Sequence, residues 1–116
     1  MRYVLALDLK DDESLIATYE SYHQPENIWP EIVAGIKAGG INKMDIYRIG
    51  NHLIMIVETN EGVDLKTAFE KISDMPRQDE WAKLMDTFQQ RLPEAQSDEH
   101  WAMMTQIFDL NAKTKL

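Results

Sequence analysis

The chain contains no cysteine, which excludes disulfides, a thiolate nucleophile and sulfur-ligated metals together. Positive charge is also short: twelve Lys and Arg stand against twenty Asp and Glu, for a formal net charge of −8. Such a balance repels phosphate backbones and anionic lipid head groups, so neither nucleic acid nor a membrane surface is an expected partner. No apolar run approaches the roughly 20 residues that a bilayer span requires. The opening MRYVLALDLKDDE reaches acidic residues too early for a secretory signal, which makes the cytoplasm the expected compartment. Histidine is scarce, at positions 23, 52 and 100 only, and none forms a helical His-x-x-x-His pair. A metal is therefore not expected.

What remains is the composition of an ordinary globular protein, 44% hydrophobic and 28% charged over 116 residues. That length suits one domain with one core. The expected division is a single domain over 1–110 and a loosely held tail over 111–116. The five glycines and four prolines punctuate the chain. Tyr3–Leu9 is a short apolar run, a strand, stopped by Lys10-Asp11-Asp12. Asp11 or Asp12 caps a helix on which Leu15, Ile16, Tyr19 and His23 share one stripe, and Pro25 ends it. Trp29-Pro30-Glu31 opens a second helix with Pro in its first turn, and Gly39-Gly40 closes it. Residues 44–49 and 53–58 are strands joined by a Gly50-Asn51 turn. Leu65, Ala68, Phe69 and Ile72 mark a third helix, broken near Pro76. Trp81, Leu84, Met85 and Phe88 mark a fourth, broken at Pro93. Trp101–Leu110 is the last apolar run and is expected to be the final strand. The order strand, helices, strand, strand, helices, strand is the split β-α-β arrangement of ferredoxin-like α+β folds. Helices on one face of such a sheet leave the other open, and a second copy of the chain would cover it, so a homodimer is expected.

Tyr19 and His23 lie one helical turn apart, about 5–6 Å between Cβ atoms, so both can point into one pocket. Imidazole exchanges protons at neutral pH and a phenol donates to a sugar oxygen, which makes the two an acid/base pair. The same spacing also fits a core tyrosine and a helix-end histidine. Trp29, Trp81 and Trp101 are either core or a platform for the C–H face of a pyranose. Tyr47 and Arg48 alternate on a strand, so only one of them faces a given side. Arg48 is then a rim charge or a donor to hydroxyls. His52 and His100 read as solvated loop residues, and Asp8, Asp11, Asp12 and Glu13 as a solvated helix start.

Taken in order, Tyr19-x-x-x-His23, Ile28-Trp29-Pro30-Glu31, the Gly39-Gly40 helix end, the run from Ile46-Tyr47-Arg48 through Ile56-Val57-Glu58, and Gln78-Asp79-Glu80-Trp81-Ala82-Lys83-Leu84-Met85 resemble the L-rhamnose mutarotase family over nearly the whole chain. The resemblance implies a dimeric α/β barrel that interconverts the α and β anomers of a 6-deoxy-L-sugar without metal or cofactor. It also implies that His23 is the active-site histidine, with Tyr19 beside it and Trp81 lining the monosaccharide pocket. Trp29, Tyr47 and Arg48 complete the expected substrate-binding set. Two departures stand out: Ala82 occupies the place of a second tryptophan, and two additional residues separate His23 from Trp29. The helix Glu80-Trp81-x-x-Leu84-Met85 continuing into Phe88-Gln89-Gln90-x-Leu92-Pro93 is similar to a branch associated with L-fucose, so L-rhamnose and L-fucose both stay open. A cofactor-free dimeric α/β-barrel monooxygenase, or a non-catalytic binding module, would use the same scaffold.

Overall fold

A computed structural model describes residues 1–112. Its elements, in chain order, are β1 (Arg2–Leu9), α1 (Glu13–Tyr22), α2 (Pro30–Ala38), β2 (Ile41–Ile49), β3 (His52–Thr59), α3 (Leu65–Ser73), α4 (Gln78–Asp86), β4 (Gln89–Gln90) and β5 (Ala102–Met103). The sheet runs β2-β3-β1-β4, antiparallel throughout, with β5 also on β1. This is the ferredoxin-like order, with the last position shared: β4 takes the Asp8–Leu9 end of β1 and β5 the Leu5–Ala6 stretch.

Strand alternation decides what each face carries. Leu5, Leu7 and Leu9 of β1 and Leu53, Met55 and Val57 of β3 are buried under the helices. The residues between them, Val4, Ala6, Ile54 and Ile56, are half-buried and face the other way. The helix side divides into two clusters. Leu5, Met55 and Val57 pack with Leu65, Ala68 and Ile72 of α3. Leu9 and Leu53 pack with Tyr19 of α1, Met85 of α4 and Phe88 just beyond it. The second cluster is the floor on which the candidate site stands.

The helix ends follow their residues. Asp12 caps α1 by accepting from the Leu15 amide at 3.0 Å, a cap of the kind that contributes about 1 kcal/mol. Pro30 starts α2 and Gly39 ends it. Gly50 turns the β2–β3 hairpin at a φ of 57°, where a side chain would be strained. Among the described residues no helix is long and apolar enough to cross a membrane.

Two expectations are corrected. The run Trp101–Leu110 is not one strand: only Ala102–Met103 pairs with β1, although the Met104 amide still reaches the Val4 carbonyl at 2.8 Å. The segment travels antiparallel toward the start of β1, which begins at Arg2, so its later residues run out of strand to pair with. Ile107 and Phe108 are left 95% and 73% exposed. The fourth helix stops at Asp86, so Phe88 is buried as a post-helical plug, and the polar Gln89-Gln90 that follows forms a strand no hydrophobic pattern announces. Of the expected tail over 111–116, residues 113–116 lie outside the described residues.

Gly39 locks α2 onto α3, because a Cβ there would stand 2.3 Å from Cγ1 of the buried Ile72. Gly39→Ala should therefore lower unfolding stability by about 1–3 kcal/mol, the usual range for overpacking, read from the urea midpoint at unchanged m-value.

Candidate active site

The last turn of α1 carries the chemistry. Tyr19 is 4% exposed, with its ring seated edge-on to Phe88 at 6.0 Å between centroids. One turn later His23 caps the helix, its backbone amide bonded to Glu20 O at 3.0 Å. Its ring lies 4.5 Å from the ring of Tyr19 and 5.5 Å from that of Trp81. Nδ1 of His23 is 2.7 Å from the carbonyl oxygen of Tyr19. A carbonyl only accepts, so Nδ1 carries the hydrogen and, in the neutral ring, Nε2 keeps its lone pair free. Burial pushes the His23 pKa down, opposed by this hydrogen bond, and the neutral base is the resting form.

The Tyr19 hydroxyl is held by Gln89, whose Nε2 donates to it at 3.2 Å. Burial raises the phenol pKa and this hydrogen bond lowers it in part. The group stays protonated, with its own O–H available as a donor.

Trp81 stands on α4 against His23, and two further rings hold it. Tyr22 meets it edge-on at 6.2 Å and Trp29 at 5.1 Å, while the Arg77 guanidinium lies 4.0 Å over the Trp29 ring. Arg77 also bonds Glu31 at 3.1 Å, which holds the Glu31 carboxyl below its usual pKa. Arg77 sits in the left-handed region at a φ of 62°, so the α3–α4 turn is bent to place this cation.

Tyr19, His23, Trp81, Ala82, Gln89 and His100 border one open cavity between the helices and β2, with a volume of about 1340 Å³. Its other walls mix apolar side chains such as Ile36, Ile46 and Phe69 with charged ones such as Lys37, Lys43 and Asp86. The cavity exceeds the roughly 300–1,000 Å³ usual for a small-molecule site, and Ala82 faces it where the resemblance places a second tryptophan. Among the described residues no three His, Asp or Glu side chains gather as a metal-binding group.

The expected site residues do not all meet. Tyr19, His23 and Trp81 come together. Trp29 does not line the cavity; packed between Arg77 and Trp81, it buttresses the wall from behind. Arg48 pairs across β3 with Leu53 and so faces the helix side, where it bonds Glu20 and the Gly50 carbonyl. Tyr47 pairs with Ile54 on the opposite face and is 59% exposed. Tyr47 and Arg48 both border the cavity along the edge strand β2. His100 is the exposed loop residue expected of it, and it also borders the cavity, with Nε2 at 2.5 Å from Oε1 of Gln89. His52 is the exposed residue expected of it, paired with Asp8 at 2.8 Å. Gln89 and His100 gave no signal in the sequence, since the contact joins two polar loop-like stretches.

The sequence profile of the L-rhamnose mutarotase family matches residues 2–110. The chain belongs to the L-rhamnose mutarotase family. Membership makes it an enzyme of isomerase type and does not favour the monooxygenase and binding-module alternatives. An L-fucose mutarotase of Xanthomonas campestris is 37% identical over 110 residues, covering 95% of this chain and 88% of that protein. A UPF0734 protein of Dictyostelium discoideum is 39% identical over 113 residues, covering 94% of this chain and 89% of its own length. Among solved structures, the L-rhamnose mutarotase FA22100 of Formosa agariphila superposes at a TM-score of 0.64 with 16% identity, covering 95% of this chain and 98% of its own. The tetracenomycin F2 cyclase of Streptomyces glaucescens superposes at 0.60 with 15% identity, covering 97% and 99%. At these identities the two structures speak for the shared fold alone.

Because burial disfavours the imidazolium, the folded pKa of His23 lies below its unfolded value of 6.5. The unfolded chain then binds the extra proton first, and stability falls as pH drops below 6.5. An NMR titration of the His23 ring should place its midpoint below 6.5. A midpoint at or above that value would contradict the buried, neutral base.

Proposed function

We propose that this protein is a mutarotase for a 6-deoxy-L-hexose, L-fucose or L-rhamnose, with His23 as the general acid/base. The observation that carries this reading is the His23 imidazole itself: Nδ1 is tied to the Tyr19 carbonyl, which leaves Nε2 free beside a phenol donor and an indole wall. Family membership supports the reaction class, and the Xanthomonas relative keeps L-fucose beside L-rhamnose.

Nε2 of His23 takes the proton of the anomeric hydroxyl. A C1=O bond forms, the C1–O5 bond breaks, and the electron pair goes to the ring oxygen. O5 accepts a hydrogen bond from Tyr19 as charge develops, and the imidazolium returns its proton there. O1 and O5 share C1, so one imidazole serves both. Rotation about C1–C2 presents the other face of the aldehyde, and the same steps in reverse close the ring as the opposite anomer. Such acid/base assistance typically contributes about 10²–10⁴-fold. Trp81 supplies the stacking face, and no step calls on a cofactor.

We also propose a homodimer as the working form, in the cytoplasm. Its support is the half-buried apolar row Val4, Ala6, Ile54 and Ile56 on the uncovered sheet face, with Tyr47 and Ile49 exposed beside it. Sedimentation at micromolar concentration should give twice the chain mass, and a monomer there would remove the proposal.

Exchange NMR at the anomeric proton tests the chemistry. His23→Ala should bring exchange of both sugars down to the uncatalysed rate while the far-ultraviolet circular dichroism stays native. Tyr19→Phe should slow exchange less, and Trp81→Ala should raise KM more than it lowers kcat, because stacking acts on ground and transition states alike. Wild-type-like exchange by His23→Ala would overturn the assignment, and no acceleration by the wild type would overturn the reaction.

A further inference from the structure

We propose that Gln89 and His100 are positioning residues of this site, a polar arm that fixes the Tyr19 hydroxyl as a hydrogen-bond donor toward the sugar. The inference rests on the mutarotase reading above and adds two residues to it.

The geometry sets the direction of every bond in the arm. Oε1 of Gln89 only accepts, so His100 must donate to it through Nε2, at 2.5 Å. With Oε1 committed to His100, the amide NH2 is left for the Tyr19 oxygen, 3.2 Å away. The phenol oxygen therefore accepts from the protein, and its single hydrogen is left to give. Without His100 the amide could turn over, take the phenol hydrogen on Oε1 and silence the donor. His100 thus selects which way Gln89 faces, and Gln89 selects what Tyr19 does.

The arm is built rather than incidental. Gln89 is 8% exposed, a long polar side chain bonded to the buried Tyr19, where a hydrogen bond left unmade is costly. Its backbone is fixed by pairing with Leu9, and His100 lies two residues before β5 on the same edge of β1. Burial pushes the His100 pKa down, with Asp86 raising it and Arg91 lowering it, and proton uptake leaves Nε2 a donor. The arm keeps its direction when His100 is charged and when it is neutral with its hydrogen on Nε2.

The test combines kinetics with a readout that needs no sugar. Gln89→Met, which keeps the volume and removes the amide, should lower kcat for anomer exchange about tenfold and leave KM within about twofold, the pattern of a contact that matters in the transition state. In a Tyr19→Phe background the same change should cost less than about twofold, since the arm acts only through the missing hydroxyl. His100→Leu, at the cavity mouth and gentler on the fold, should reproduce the loss, and His100→Asn, which can still donate, should restore most of it. The Tyr19 13Cζ resonance, identified by its absence in Tyr19→Phe, should move in Gln89→Met and His100→Leu. An unmoved resonance, full kcat in Gln89→Met, or an equal loss in the Tyr19→Phe background would each overturn the arm while leaving the mutarotase reading intact. Full kcat in Tyr19→Phe would instead remove the donor role of Tyr19 itself, and the arm with it.

Discussion

The hydrogen bond from Nδ1 of His23 to the carbonyl oxygen of Tyr19, 2.7 Å long, ties the catalytic candidate to the core. The carbonyl belongs to a residue whose ring is buried among Leu9, Leu53, Met85 and Phe88, so the imidazole is held by a backbone that the sheet itself fixes. The bond determines the tautomer, and with it which nitrogen meets the substrate. It also satisfies one of the carbonyls that a helix leaves unpaired at its C-terminus. One interaction therefore ends the helix, orients the ring and exposes the base.

Burial supplies the electrostatics around that bond. It holds His23 neutral and Tyr19 protonated, which is the pair of states that removing one proton and supporting a leaving oxygen requires. Among the described residues no carboxylate takes part in the hydrogen bonds of His23 or Tyr19; an ion pair on α1, Glu20 with Arg48, lies one residue along on the exposed rim. The partners of both groups are a backbone carbonyl and an amide, dipoles without net charge. They orient the groups without shifting them into their charged forms.

The aromatic wall follows a similar logic at larger scale. Trp81 is positioned by rings rather than by hydrogen bonds, and Trp29 behind it is clamped by Arg77. That clamp needs α2 and α4 close together. Gly35 allows the approach, since a Cβ there would stand 2.4 Å from Nε2 of Gln78, which reaches the Ile32 carbonyl at 3.3 Å. A small residue and a polar strut between two helices thus set the position of an indole that faces the cavity.

Local pattern carried the helices and the three long strands. Leu15, Ile16 and Tyr19 recur at helical spacing, Pro30 and Gly39 mark helix ends, and Gly50-Asn51 marks a hairpin, each readable because the cause lies within a few residues. The Tyr19–His23 pair was legible for the same reason: one turn of helix brings the two together whatever else the chain does. The two-residue strands β4 and β5 were not, because they exist only where β1 offers them an edge. The sequence by itself also left Trp29, Tyr47 and Arg48 as equal candidates, and the fold separated them by sheet face and by packing order. Gln89 and His100, eleven residues apart and both in polar stretches, were joined to Tyr19 by tertiary structure alone. Hydrogen bonds between distant segments leave no periodicity, and only the closure of the sheet brings those three side chains into one line.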